Sequence, residues 1–436
     1  MVWTAPEPSE LGDHDVIQLG DYLQGKSIAL CITGSVAAMK TPLLARALRR
    51  YGAEVTVFVG ESGLRFVAAD ALRWATNREI VTELTYRSEH LNGGHPFDAY
   101  LVAPASYNTV NKMANGSADG LITTVMSSAI GNMQQGNTKI LVAPAMHGSM
   151  HNSIFRESLR KLQTLGVRLI KPRQEFGKNN LPSQERLVME VCRAINEKDY
   201  PKSVLVTAGA VGVKIDSIRR LTNKFSGKLG ILIAKELYLR GHEVTLLQSS
   251  SGIRPPNWLP HRLYEDFDDY LEQCMAHSSI SYIGPGKHQY GIYSAAVADY
   301  RPATIADGKM PSGQENLSLD LVPTAKVIEE VKKARPNHKI ISFKYEHAAT
   351  LGRLVNIAKE RLKTHTGIVV NSGGTRGPKG EQLAYLFSGG CDDRFWPKNP
   401  VYALNRSPAL IGKEKIAKTL VDELEKPCGA FTDCCG

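Results

Sequence analysis

Apolar runs of strand length alternate along this chain with stretches whose apolar residues recur three and four positions apart. The first such pair is a nearly unbroken apolar run over 27–32, closing on Gly34, followed by Leu43, Leu44, Ala47 and Leu48 at helical spacing. Gly52 stops that helix and 54–59 returns as a strand, so the segment reads as a βαβ unit of a parallel sheet. Two further short strands are predicted over 100–103 and 139–143, each running into a Pro-Ala loop, Pro104-Ala105-Ser106 and Pro144-Ala145-Met146. Beyond Pro201 the pattern restarts. A strand over 203–206 meets a turn at Gly209, a helix over 229–239 stops at Gly241, and 243–247 is the next strand. Strands over 293–298, 339–343 and 367–370 complete a second sheet.

The expected fold class is α/β, with two Rossmann-like domains of mainly parallel sheet over 26–198 and 199–427. An extension over 1–25 precedes them and a flexible tail over 428–436 follows. The extension carries Glu7, Glu10, Asp13, Asp15 and Asp21 and no Lys or Arg, and reads as a mobile arm or a strap at an oligomer edge. Composition changes this picture little. The chain has 436 residues, 42% hydrophobic and 22% charged, which are ordinary globular values. A net charge of +10 favours anionic ligands, but the bases are scattered and no nucleic-acid-binding motif appears. The seven cysteines show no metal-ligand spacing and their odd number argues against a disulfide framework. With no apolar span of membrane length and no signal segment, the expectation is a reduced, cytoplasmic protein without membrane or nucleic-acid partners.

The chemistry concentrates where strands meet helices. Thr33-Gly34-Ser35-Val36-Ala37-Ala38 and Thr207-Ala208-Gly209-Ala210 each turn from a strand toward a helix, and Asn223-Lys224-Phe225-Ser226-Gly227-Lys228 opens the second helix. Such turns aim backbone N–H groups at an anion and add the helix dipole. One in each half suggests two nucleotide-type or phosphate-type sites. The first turn lacks G-x-G-x-x-G and no suitable ribose-binding acid follows it, which argues against a nicotinamide dehydrogenase.

The first turn resembles the phosphate loop of the FMN-dependent cysteine decarboxylases. Pro104-Ala105-Ser106-Tyr107-Asn108-Thr109 is close to that family's second motif. Ala114-Asn115-Gly116-Ser117-Ala118-Asp119-Gly120-Leu121 and Pro144-Ala145-Met146-His147-Gly148-Ser149-Met150 are similar to the segments that follow it. The resemblance implies FMN held by Gly34, Ser35, Ser62, Pro104 and Ala105 together with Ser106, Asn108, Thr109, Ala145 and Met146. It also implies a catalytic base at His90, thirteen residues before Ala103, with His95 as a nearby competitor. In that chemistry the flavin withdraws hydride from the cysteine β-carbon, and the thioaldehyde so formed accepts the electrons left by departing CO2. Two residues depart from the family. His147 stands where an Asn donates to the substrate carboxylate, a task an imidazole can also perform. The flap segment over 172–182 holds no cysteine, and Cys192, in the helix beyond, reads as a buried core thiol. Release of an oxidised enethiol, another proton donor and an inactive decarboxylase half therefore all stay open.

The second half resembles phosphopantothenate–cysteine ligase. The similarity runs through Asp216-Ser217-Ile218-Arg219-Arg220-Leu221-Thr222-Asn223, through Ala295-Ala296-Val297-Ala298-Asp299-Tyr300-Arg301-Pro302, and through Phe343-Lys344-Tyr345-Glu346 with Asn371. The two halves in this order are similar to the bifunctional decarboxylase–ligase family of coenzyme A biosynthesis. The resemblance implies CTP as co-substrate, an acyl-CMP intermediate held by Asn223, a phosphate-binding Lys309 and Mg2+ offsetting pyrophosphate charge. Nucleotide and substrate contacts are expected from Gly209, Arg219, Ser226, Gly227 and Lys228, and from Ala296, Asp299, Phe343 and Lys344; the metal ligands are unknown. The partners implied are cysteine, a phosphorylated pantothenate-like acid and CTP, in a homo-oligomer with FMN at subunit contacts. Gly209-Ala210-Val211, Phe225, Tyr345 and His347 depart from the family pattern. One alternative is a paralogue that ligates cysteine to a different acid; another is a flavoprotein that acts by binding partner proteins.

Overall fold

The computed structural model describes residues 3–4, 7–277, 289–313, 315–389 and 404–426. Cys391, Cys428, Cys434, Cys435 and the tail expected over 428–436 lie outside the described residues. The chain divides into two compact units, Met1–Glu197 and Lys198–Gly436.

In the first unit five strands stand side by side in the order Glu54–Val59, Ser27–Ile32, Ala99–Ala105, Lys139–Pro144, Arg168–Leu169. Every neighbouring pair is parallel. Ala99–Ala105 is buried along its whole length, as an apolar run covered by helices on both faces must be. The helix Thr41–Arg49 returns the chain between the first two strands. Pro42 sits in its first turn, where a missing N–H breaks no helical bond, and Arg46 and Arg49 sit in the last turn beside the exposed carbonyls. The strand order reverses between Ser27–Ile32 and Ala99–Ala105, and in open α/β sheets ligands gather at the carboxyl end of that reversal.

The extension differs from the expected mobile arm. Residues 15–25 lie along the Thr41–Arg49 helix. The Leu19 N–H donates to Arg50 O at 2.7 Å, Arg46 Nη2 donates to Asp15 O at 2.9 Å, and the Asn196 amide donates to Tyr22 O at 3.0 Å. Leu23 is fully buried. A buried leucine and backbone bonds at several points fix this segment within its own unit, which its acidic composition does not reveal.

In the second unit the strands follow the order His261–Tyr264, Glu243–Ser249, Ser203–Ala208, Gln289–Tyr293, Lys339–Glu346, Gly367–Arg376. These six are parallel. In chain order this is 3-2-1-4-5-6, the dinucleotide-fold arrangement, with its reversal between Ser203–Ala208 and Gln289–Tyr293. Gln382–Gly389 and Leu404–Arg406 extend the far edge antiparallel. The two halves thus share a βαβ unit but not a strand order.

One expected strand is redrawn. The sheet strand is Gln289–Tyr293, not 293–298, and Ala296–Val297 leaves the sheet to pair with Ala210–Val211. The Ser294 hydroxyl donates to Thr207 O at 2.6 Å and the Ala296 N–H to Gly209 O at 2.9 Å. The Ala-Ala-Val-Ala segment therefore follows its neighbour's Gly209 turn past the end of the sheet.

Candidate functional site

At the reversal of the first sheet, one hydroxyl ties two strand ends together. Buried Thr33 donates through Oγ1 to Pro104 O at 2.7 Å and accepts the Ser106 N–H at 2.9 Å. Ser35 then caps the short Val36–Lys40 turn, and Ser106 caps the Tyr107–Ala114 helix by accepting the Thr109 N–H at 3.3 Å. Gly34 allows the loop carrying Ser62 to approach, since a Cβ there would lie 2.9 Å from Ser62 Cβ. These loops surround a cavity of about 600 Å3. Of the residues expected to hold FMN, Gly34, Ser35 and Ser62 line it from one side, and Ser106, Asn108, Thr109, Ala145 and Met146 from the other. Pro104 and Ala105 are absent from the lining; Ala105 is fully buried as the end of its strand. Their place is to carry the backbone to Ser106.

The flap segment closes one side of the cavity. Arg173–Glu175 and Lys178–Asn180 form a hairpin whose second strand pairs antiparallel with Met146–His147. Gly148 makes this docking possible. Its N–H donates to Gly177 O at 3.0 Å, and a Cβ would lie 2.2 Å from that oxygen. Lys178, Asn179, Asn180 and Leu181 thereby reach the cavity beside Tyr107, His147 and Met150. Sequence does not mark Lys178 to Leu181 as site residues, because they reach the cavity only through strand pairing with a distant segment. Among the described residues the free cysteines are Cys31, Cys192 and Cys274, all buried, and none lines the cavity. Burial pushes the Cys31 thiol up to about 12.

His147 is oriented by its neighbour two residues on. Its Nδ1 accepts the Ser149 N–H at 3.3 Å and lies 2.8 Å from Ser149 Oγ. A backbone N–H can only donate, so Nδ1 is the acceptor and a neutral ring carries its proton on Nε2. His147 lines the cavity and keeps one N–H free to donate, as an asparagine amide does. His90 sits elsewhere, on the short turn Glu89–Gly94, and is absent from the cavity wall. Its Nδ1 is buried without a hydrogen-bond partner, and its carbonyl accepts the Tyr100 hydroxyl at 3.5 Å.

In the second unit the Gly209 turn, the Asn223 loop and the Ala296 segment meet beyond the sheet reversal. Asn223 Nδ2 donates to Ala296 O at 3.0 Å, and the side chain is exposed. Lys228 begins the helix Lys228–Leu239, with Gly227 in the left-handed conformation ahead of it. Ser226 is held from behind: buried Gln248 donates through Nε2 to Ser226 O at 3.1 Å and to Ile253 O at 3.0 Å. Gln248 was missed from sequence, since a lone polar residue ending an apolar strand carries no motif. Phe225 and Tyr345 meet edge to face with centroids 6.4 Å apart, which brings the Asn223 loop beside the end of the strand bearing Phe343 and Lys344. Lys344 pairs with Glu346 at 3.2 Å and Asp299 with Lys326 at 2.7 Å, both at exposed or half-buried positions. Arg219 turns Nη1 toward Asp216 and Met310 O, at 2.6 and 3.2 Å, and the exposed Lys309 lies beside that contact. Among the described residues no three His, Cys, Asp or Glu side chains are grouped to hold a metal ion.

Comparison with known proteins covers both units. Residues 17–196 match the Flavoprotein family, and residues 200–382 match the DNA/pantothenate metabolism flavoprotein C-terminal domain. The coenzyme A biosynthesis bifunctional protein CoaBC of Thermococcus kodakarensis is 38% identical over 348 residues, covering 78% of this chain and 83% of that protein. Its counterpart from Methanocaldococcus jannaschii is 30% identical over 345 residues, 79% of this chain and 82% of that one. A solved DNA/pantothenate metabolism flavoprotein from Streptococcus pneumoniae aligns with 51% of this chain and 98% of its own at 25% identity and a TM-score of 0.41. The order of the two domains and the length of these matches place the chain in the family of bifunctional coenzyme A biosynthesis proteins.

Proposed function

We propose that the second unit joins cysteine to 4'-phosphopantothenate at the expense of CTP, and that the first decarboxylates the product to 4'-phosphopantetheine. The observation that carries this reading is the cavity of about 600 Å3 at the reversal of the first sheet, a size suited to a cofactor and substrate together. Its chemistry fits FMN. Capping serines 35 and 106 and the amino end of the Tyr107–Ala114 helix suit a phosphate, while Tyr107, Met146 and Met150 offer apolar surface to a ring. Bound there, FMN supplies a two-electron acceptor for the cysteine β-carbon. Around it His147 donates from Nε2 to the substrate carboxylate, and His90 moves the proton of the substrate thiol.

His90 reaches the cavity from a second copy of the chain. Val36, Met39 and Leu43 form an apolar row beside the cavity mouth that is 63%, 58% and 61% exposed, and a neighbouring subunit would cover it. In the ligase half the substrate carboxylate attacks the α-phosphorus of CTP and pyrophosphate leaves. Lys309 and the amino end of the Lys228–Leu239 helix offset the charge, and Mg2+ carried in by the triphosphate would add further positive charge there. Asn223 holds the acyl-CMP for attack by the cysteine amine.

Pyrophosphate release tests the ligase assignment: it should require CTP, 4'-phosphopantothenate and cysteine together. Release that needs a different acid would support the paralogue instead. Mass spectrometry of the final product tests the flavin half, since a product two mass units lighter than phosphopantetheine would show that reducing equivalents are not returned.

A further inference from the structure

Asp216 belongs to a motif whose Arg219 and Asn223 are expected at the substrate, yet its carboxylate faces no solvent: the side chain is fully buried. Four donors converge on it. Oδ1 accepts the Ile218 N–H at 2.8 Å and the Arg219 N–H at 2.6 Å, which is what a turn-forming aspartate does locally. Oδ2 has other partners. It accepts Arg219 Nη1 at 2.6 Å and the Met310 N–H at 3.0 Å, from a residue 94 positions further along. Arg219 Nη1 also donates to Met310 O at 3.2 Å, so both backbone groups of Met310 are engaged. The Ser217 N–H donates to Gly308 O at 3.1 Å and the Ala306 N–H to Ile215 O at 3.2 Å. Lys309 is bracketed: the residues on either side of it are bonded to the 215–219 turn, while its own side chain is exposed. The Arg219 N–H and the other donors hold the Asp216 carboxyl well below the usual carboxylate range, so it stays an acceptor throughout the working pH range.

We propose that Asp216 is a positioning residue for ligation, acting through Lys309 by clamping the 306–310 segment onto the 215–219 turn. The proposal rests on the assignment of Lys309 to the triphosphate. A turn cap would need only Oδ1. Of the Oδ2 partners, the Met310 N–H comes from the other loop and Arg219 Nη1 reaches across to Met310 O, and together they fix the backbone next to Lys309. An ion held by a preset loop costs no reorganisation when charge develops on the leaving pyrophosphate.

Asp216→Asn separates the two roles. The amide oxygen can still accept the Ile218 and Arg219 N–H groups, but its NH2 faces two donors, Met310 N–H and Arg219 Nη1, and the clamp opens. In the full-length protein, kcat/KM for CTP is measured by pyrophosphate release for Asp216→Asn, Lys309→Ala and the double variant. Lys309→Ala should lose at least 100-fold, Asp216→Asn at least tenfold, and the double variant should fall within twofold of Lys309→Ala alone. Multiplying losses in the double variant, or an Asp216→Asn value within threefold of the parent, would overturn the proposal. A Lys309→Ala enzyme of full activity would instead remove the Lys309 assignment, and with it the basis of the clamp. Labelling of Lys309 by acetic anhydride gives a second reading: CTP should protect it in the parent and not in Asp216→Asn. If Asp216→Asn does not fold, Asp216→Glu, which keeps the charge one methylene further out, should show the same loss of protection.

Discussion

The Thr33 hydroxyl offers a sharp quantitative test of how the flavin-type cavity is built. Thr33→Val keeps the shape of the side chain and removes only the group that joins Pro104 O to the Ser106 N–H. Thr33 is 3% exposed, so water cannot easily replace it. Each orphaned buried group costs about 1–3 kcal/mol, so two of them cost roughly 2–6 kcal/mol in total. Because the units unfold separately in principle, hydrogen exchange of the buried Ala99–Ala105 strand is a cleaner probe than a single melting curve. At about 1.4 kcal/mol per factor of ten, its slowest amides should exchange roughly 30- to 20,000-fold faster. Flavin affinity should fall as well, since Ser106 and the helix it caps are released. Thr33→Ser keeps the hydroxyl and should retain most of the protection. Exchange within threefold of the parent in Thr33→Val would refute the account of Thr33 as the tie between the two strand ends.

Other expectations follow from the same geometry. Gly148→Ala drives a Cβ toward Gly177 O and should lift the 173–180 hairpin, weakening FMN binding about tenfold in a fluorescence titration with little change in overall stability. His90→Asn should abolish CO2 release and leave CTP-dependent ligation intact; equal loss of both would contradict two separate sites. His338 and His365 are buried, and burial followed by nearby Arg and Lys charges lowers each to about 4. Unfolded, they titrate near 6.5, so the unfolded state gains protons first on acidification. The second unit should therefore lose stability between pH 6.5 and 4, on the order of 3 kcal/mol per histidine, seen as faster exchange in its central strands. Unchanged exchange across that window would argue against neutral buried rings.

Sequence by itself determined most of the strands and helices and the loops that carry chemistry. Apolar runs of five or six residues closing on Gly34 and Gly209 can bury themselves only in a covered parallel sheet, and the motif residues then fall at the carboxyl ends. The placement of Gly34, Ser35 and Ser106 on one cavity was legible for that reason. What was not legible depended on contacts between distant segments. Periodicity is local, so it could not tell the 2-1-3-4 order of the first sheet from the 3-2-1-4-5-6 order of the second. Nor could it show that Ala296 leaves its sheet to meet Asn223, or that the cysteine-free flap reaches the cavity by pairing with Met146–His147. Composition marked residues 1–25 as a mobile arm or an edge strap, but Leu23 found a buried seat that only the folded neighbours create. The carboxylate of Asp216 reads as a turn residue until Met310 arrives from a distant segment of the chain. A hydrogen bond across 94 positions is decided by the packing of whole loops, and only the tertiary structure specifies it.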